Sequence, residues 1–259
     1  MKEHLLLLIL HQFINDMKQF QLIDHLSWDS QLMGYKVGKY SPSRLNTEKI
    51  TAAITSAKEQ GFILIYLSIP GKFITLKKFA KKCGGLLVDT KVTFKQDISQ
   101  SNIINESLDP HISSIFHEKS SRTLNILAIS AGHFSRFYKD KNIKREAFRT
   151  LYTEWIRKSL SGELADNVLV YKDGKKVLGF ITYKISSRTG RIGLIAVSKA
   201  SQGRSIGTKL MQYALFEMKK RNVRVAEVVT QKTNKSACAF YKKNGYDIYK
   251  KEYIFHFWL

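Results

Sequence analysis

Over residues 46–60 apolar side chains recur at three- and four-residue spacing. Ile50, Ala53, Ile54 and Ala57 fall on one face, which predicts a helix that Gly61 stops. The next run, "FILIYLSI" (62–69), is apolar throughout and rich in β-branched and aromatic residues, the pattern of a strand buried on both faces. A helix over 75–82 and a strand over 84–94 follow. Upstream, residues 1–20 place Leu and Ile on one side of a helix. Residues 28–40 read as a turn and a strand punctuated by Gly34 and Gly38. Strand and helix alternate, so this first portion is expected to be α/β.

A polar segment without strong period, 96–122, separates this portion from a second series and sets the expected boundary between domains 1–120 and 121–259. In the second series 124–130 ("LNILAIS") reads as a strand and 132–141 and 144–160 as helices. Phe148, Leu151, Tyr152 and Trp155 keep helical spacing in the longer one. Residues 167–197 read as three consecutive antiparallel strands, with hairpin turns at Asp173-Gly174 and Thr189-Gly190. A helix ending near 221, a strand over 223–231, a helix over 234–244 and one or two closing strands complete the chain.

Composition narrows this little, and charge more. The 259 residues hold 43 Lys and Arg against 21 Asp and Glu, a net +22. The excess is uneven: 15 basic against 11 acidic residues in 1–120, and 28 against 10 in 121–259. The second half therefore attracts anions, whether nucleic acid, acidic membrane or phosphorylated small molecules. Cys83 and Cys238 are too few for a disulfide framework or a zinc cluster, which fits a reducing cytoplasm and predicts no metal site. The apolar run 5–10 is short, broken by His11-Gln12 and followed by no small-residue cleavage site, so it does not read as a signal peptide. No stretch approaches the ~20 apolar residues of a membrane span.

Candidate chemistry gathers in two stretches. After the strand-like "IGLIAV" (192–197) comes Gln202-Gly203-Arg204-Ser205-Ile206-Gly207-Thr208, opening the 206–220 region. Free N–H groups at a helix start bind phosphate oxygens, and glycine lets several of them converge. Arg204 adds a delocalised cation, and Ser205 keeps its N–H and adds a hydroxyl, provided it takes an ordinary backbone conformation. A plain helix start capped by Ser205 or Thr208 is the alternative. No Gly-Lys-Ser/Thr closes the loop, and the preceding hairpins exclude a dinucleotide-binding crossover. The second stretch is "NKSACAFYKKNGY" (234–246). Asn234 can cap it, Ala237, Phe240 and Tyr241 share a face, and Gly245 ends it.

Together the two stretches resemble the Gcn5-related N-acetyltransferase superfamily. Its signature is a strand, then Gln/Arg-x-x-Gly-x-Gly/Ala opening a helix, then a strand and Asn-x-x-Ala-x-x-Phe-Tyr-x-Lys-x-Gly-Phe. Gln202, Gly207, Asn234, Ala237, Phe240, Tyr241, Lys243 and Gly245 match in order and spacing. Ser205 departs at the first glycine, and Tyr246 replaces the final Phe. The stretches 28–40, 86–94, 151–162, 164–171, 192–197 and 253–259 look like the dTDP-4-amino-4,6-dideoxygalactose (dTDP-fucosamine) N-acetyltransferase group.

The resemblance implies a mixed, mainly antiparallel splayed sheet flanked by helices over 121–259, beside a smaller N-terminal α/β domain. It implies acetyl-CoA as donor, with Leu194, Ile195, Ala196 and Val197 beside the pantetheine arm. Gln202, Gly203, Arg204, Ser205, Ile206, Gly207 and Thr208 would hold the pyrophosphate. A backbone N–H near 195–197 would stabilise the oxyanion. Tyr241 would protonate the leaving thiolate, and Asn234 would orient the cofactor or a water. The acceptor would be the amine of a dTDP-linked amino sugar that attacks the thioester directly, in the cytoplasm; a homodimer is compatible with the resemblance. The same fold could instead serve a protein N-terminus, lysine, polyamine or antibiotic amine. A basic nucleic-acid-binding module is a third reading, though the chain has no recognised motif for one. Glu227, His133 and His256 are candidates for the base, with solvated or structural roles as their alternatives. Trp28 and Asp29 are placed on the acceptor side or in N-terminal packing.

Overall fold

A computed structural model describes residues 23–42, 46–99 and 109–259. The helix expected over 1–20 lies outside the described residues. The chain forms two compact units, 1–87 with 253–259, and 88–252.

In the smaller unit β1 (Asp24–His25) pairs antiparallel with β2 (Val37–Tyr40), and β2 pairs parallel with β3 (Leu64–Pro70). The expected buried strand is β3, with its side chains inside from Leu64 to Ile69. Helix α1 (Ser27–Met33) occupies part of the segment read as a turn. Ser30 explains it: its hydroxyl bonds the Leu26 carbonyl and accepts the Val37 N–H, closing the helix onto β2. Helix α2 (Thr47–Glu59) starts at the Asn46 cap, whose side chain accepts the Lys49 N–H. Ile50, Ala53 and Ala57 face a core shared with β3, α3 (Ile74–Lys82), Phe255 and Phe257.

The larger unit is built on an antiparallel run. β4 (Leu86–Asp97) pairs with β9 (Val225–Gln231), β5 (Ile112–Ser114) with β6 (Asn167–Asp173), β6 with β7 (Lys176–Ser186), and β7 with β8 (Thr189–Val197). β8 and β9 pair in parallel. β10 (Asp247–Trp258) closes the chain. One face of this sheet is covered by α7 (Ile206–Lys220) and α8 (Lys235–Lys243), after a 3-10 turn at Lys199–Ser201. Ile206, Leu210, Met211, Ala214, Leu215 and Met218 of α7 meet Phe94, Ile181, Tyr183, Ile192 and Val228 there. Each large side chain buried in this cluster contributes about 1.5–3 kcal/mol.

α4 (Arg122–Ala131), α5 (Arg136–Lys139) and α6 (Arg145–Leu160) are the remaining helices, with α4 against β7 and β8. Three expectations are corrected here. Residues 124–130 are helix, not strand, because Ser121 caps the Leu124 N–H and Leu124, Leu127 and Ala128 supply a buried i, i+3, i+4 face. The helix expected over 132–141 shrinks to the single turn α5. The first hairpin turn forms at Asp173-Gly174 as expected, with Gly174 at φ 56°, but the second lies elsewhere, β7 and β8 being joined through Ser187-Arg188, with Ser187 at φ 54°. Thr189 and Gly190 are inside β8, and Gly190 lies under Met218, where a Cβ would come within 2.4 Å of its sulfur.

Candidate active site

The site begins with a fault in the sheet. Ile181 lies opposite Ile195 and Tyr183 opposite Ile192, so Gly193 and Leu194 both face Thr182. The Thr182 hydroxyl accepts the Leu194 N–H at 2.9 Å and fixes the bulge. A bulged strand bends and twists more strongly. The pairing of β8 with β9 runs from Thr189/Val225 to Ile192/Val228 and ends there, one residue before the bulge. Beyond it β9 stays with β4 as far as Gln231, and β8 stays with β7 as far as Val197. The two strands therefore part. The Ser198 N–H bonds the Leu178 carbonyl, so by antiparallel alternation Ile195 and Val197 direct their N–H and C=O groups to the open side. Ile195, Ala196 and Val197 are half-buried, and Leu194 packs inside.

The loop after β8 brings a helix start to this opening. Gln202 donates to the Val197 carbonyl at 3.4 Å. Gly203 takes φ 81° with open space around it. Gly207 serves close approach: a Cβ there would lie 3.3 Å from Phe240 and 3.7 Å from Val197. Ser205 differs from the expectation, for its backbone is left-handed at φ 59°, ψ 9°. Only glycine takes that region without cost, which is a physical reason for glycine at this point of the signature. Its side chain makes no capping bond, and Thr208 lies within the helix, so neither caps α7. The N–H groups of the first turn therefore stay uncapped and carry the positive end of the helix dipole. Ile206 points into the core, and Arg204 is exposed, 3.9 Å from Asp173.

Helix α8 is capped in contrast, with Asn234 accepting the N–H of Ala237 at 3.1 Å and the hydroxyl of Ser236. It carries Tyr241 into the core beside Phe94, Phe240 and Tyr246. Tyr241 is 4% exposed and its hydroxyl makes no hydrogen bond among the described residues. Burial, with the neighbouring Cys238, pushes its phenol well above the ordinary range, so it is protonated at neutral pH.

The three candidates for a base lie in paired, exposed or packed surroundings. Glu227 bridges Lys95 at 2.9 Å and Arg191 at 3.1 Å, its cross-strand neighbours on β4 and β8. Burial pushes its carboxyl up, but the hydrogen bonds and charges of Lys95 and Arg191 outweigh this and hold it below the usual range. A carboxylate so paired is a poor proton acceptor. His133 is exposed against Tyr138 and Phe148. His256 belongs to the smaller unit, stacked on Tyr66 at 4.7 Å; Asp29, also in that unit, accepts from the Tyr66 hydroxyl at 3.3 Å. Among the described residues no group of three His, Cys, Asp or Glu is placed to hold a metal, and no helix is long and apolar enough to cross a membrane.

One polar residue escaped the sequence reading. Asp89 on β4 is 6% exposed, and its Oδ1 has no hydrogen-bond partner among the described residues. Burial pushes its carboxyl up to about 6, against the pull of Lys139, Arg136, the Thr90 N–H and Lys91. The available signal was an acidic residue inside the apolar run "LLVD".

Residues 133–246 match the acetyltransferase (GNAT) family. The spore coat polysaccharide biosynthesis protein SpsD of Bacillus subtilis is 25% identical over 124 residues, 48% of this chain and 43% of that protein. N-alpha-acetyltransferase 30 of Schizosaccharomyces pombe is 24% identical over 110 residues, 40% of this chain and 73% of that one. A crystal structure of a GCN5-related N-acetyltransferase from Sphaerobacter thermophilus aligns with a TM-score of 0.59 at 14% identity, covering 91% of this chain and 75% of that one. The chain thus spans less than half the length of SpsD, and the match to the solved structure is one of fold.

Proposed function

Starting from a chain whose residues 133–246 are a GNAT-family acetyltransferase domain, we propose that it moves an acetyl group from acetyl-CoA to the amine of a dTDP-linked amino sugar. The observation that carries the acetyl-CoA assignment is the parting of β8 from β9 beside the uncapped start of α7. In this reading the extended arm of the donor pairs with the N–H and C=O groups of Ile195 and with the Val197 N–H, as a strand would, while the Val197 carbonyl is held by Gln202. Its pyrophosphate meets the N–H groups of residues 203–208, with Arg204 alongside. One of the freed N–H groups of β8 faces the thioester oxygen and stabilises the oxyanion. The amine attacks the carbonyl carbon, the C–S bond breaks, and Tyr241 protonates the departing thiolate. Its hydroxyl suits the task because burial keeps it protonated and no hydrogen bond diverts it. Asn234 spends its oxygen on the α8 cap, leaving its amide N–H groups for the donor or a water.

The sugar-nucleotide acceptor is supported by the likeness to SpsD, by the dTDP-fucosamine-type stretches, and by the basic excess of residues 121–259, which suits a diphosphate. The division of labour is a catalytic domain over 121–259 with 1–120 contributing to acceptor binding, in a cytoplasmic protein able to form a homodimer. The likeness to N-alpha-acetyltransferase 30 supports a second reading, in which the acceptor is a protein N-terminus. Thiol release from acetyl-CoA in the presence of dTDP-fucosamine, glucosamine, spermidine or an N-terminal peptide separates the two. Turnover of the peptide without the dTDP-sugar would overturn the sugar assignment.

A further inference from the structure

We propose that Asp89 receives the acceptor's ammonium and takes its proton, supplying the base that Glu227 does not. This rests on the acetyl-transfer reading and extends it by one residue and one step.

The placement comes from register. Lys91 lies opposite Gln231, and the Lys232 N–H bonds the Thr90 carbonyl, so Asp89 sits level with Thr233. That point is past Ile192/Val228, where β8 has left β9, and one residue before the Asn234 cap of the helix that carries Tyr241. Side-chain alternation puts Val92 and Phe94 on the α7/α8 face of the sheet, so Asp89 is on the other. That other face also carries Thr182, and Trp155 lies nearby: a Cβ at Gly193 would come within 2.8 Å of the Thr182 hydroxyl and 3.8 Å of the Trp155 ring nitrogen. Donor groups lie on the edge of β8 and the Asp89 carboxylate on the sheet face opposite α7 and α8, so the two reactants have separate approaches in this proposal.

The surroundings fit an ionised base. Arg136 and Lys139 of α5 and Lys91 of β4 are the charges that act on Asp89, and the Tyr152 phenol of α6 is the other titratable group coupled to it. Lys139 is itself held by the Thr233 hydroxyl. The cations offset part of the desolvation cost, so the carboxyl is ionised at neutral pH, while Oδ1 is left without a donor. An ammonium, directly or through one water, supplies that donor. A proton then passes from R–NH3+ to Asp89, leaving a neutral amine whose lone pair forms the C–N bond as C–S breaks. The second nitrogen proton balances the one Tyr241 gives to sulfur, and Asp89 returns its own to solvent.

The test uses the full chain and two amines of different pKa from those it acetylates. For the wild type, the acidic limb of kcat/KM is expected near pH 6 for both amines. For Asp89→Asn, kcat/KM is expected to fall by about 10²–10³-fold. The remaining limb should move to each amine's own pKa, with acetyl-CoA affinity within about 2-fold of wild type. Overturning results are a wild-type limb that follows the amine, which needs no variant, or an Asp89→Asn enzyme within about 3-fold of wild type. Because any acetylated amine serves, failure of the dTDP-sugar alone removes the acceptor assignment and leaves this test standing.

Discussion

The paired and the parted halves of β8 and β9 treat their carboxylates differently. In the paired half Lys95, Glu227 and Arg191 stand side by side on three adjacent strands and satisfy one another. Among the described residues, in the parted half the edge of β8 pairs with no strand on that side, α7 begins without a side-chain cap, the Tyr241 hydroxyl has no hydrogen bond and Asp89 has a partnerless oxygen. Buried polar groups left unmade are costly, so each of these is a point that a bound molecule would complete. The two carboxylates show the difference most clearly. Burial pushes both upward, yet hydrogen-bonded Lys95 and Arg191 outweigh it and hold Glu227 below the usual range, whereas at Asp89 burial outweighs the pull of Lys139, Arg136, the Thr90 N–H and Lys91 and the carboxyl stands at about 6.

The largest effect that would break this comparison is at Tyr241. Tyr241→Phe is expected to lower kcat by at least about 10²-fold with acetyl-CoA affinity unchanged. Its thermal stability should stay level or rise, because a buried hydroxyl without a partner contributes no bond to lose. Wild-type turnover by this variant in the thiol-release assay would remove Tyr241 as the acid.

Glu227→Gln should do the reverse, leaving kcat/KM within about 2-fold and costing about 1 kcal/mol of stability at pH 7. The sign follows from the lowered carboxyl: the stabilisation is complete above the ordinary glutamate range and is lost as pH falls through the lowered folded value. Melting temperatures of variant and wild type should therefore converge in acid. A large activity loss with unchanged melting would return Glu227 to the reacting centre.

Much of this architecture was legible in the sequence, and the exceptions share a cause. The α2, β3, α6, α7 and α8 segments carry long, unambiguous periods or caps, and they form where expected. Residues 124–130 are apolar in nearly every position, so periodicity could not choose between strand and helix, and the Ser121 cap decided it. The second hairpin moved because Gly190 is glycine for the closeness of Met218 rather than for a turn. The loop and helix of the site were readable because their roles demand particular residues at fixed spacing. The opening between β8 and β9 was not readable from residue patterns alone, since it depends on a one-residue register shift held by the Thr182 hydroxyl twelve positions away. Asp89 escaped for a related reason: its isolation is a property of three elements folded around it.

The smallest effect, and the sharpest on the loop, concerns Ser205. A left-handed serine costs about 1–2 kcal/mol relative to glycine in the folded state. Glycine returns part of that through its more flexible unfolded chain, so Ser205→Gly should gain only about 0.5–1 kcal/mol. The N–H groups around the turn keep their direction, so acetyl-CoA affinity should stay the same or tighten by up to about 3-fold, measured by calorimetry. Ser205→Ala separates the remaining possibility, for it keeps the strained backbone and loses only the hydroxyl. If backbone N–H groups alone hold the anion, alanine binds as serine does. If both variants lose affinity together, the Ser205 hydroxyl is a direct phosphate ligand, and the departure from glycine is a gain of function rather than a tolerated strain.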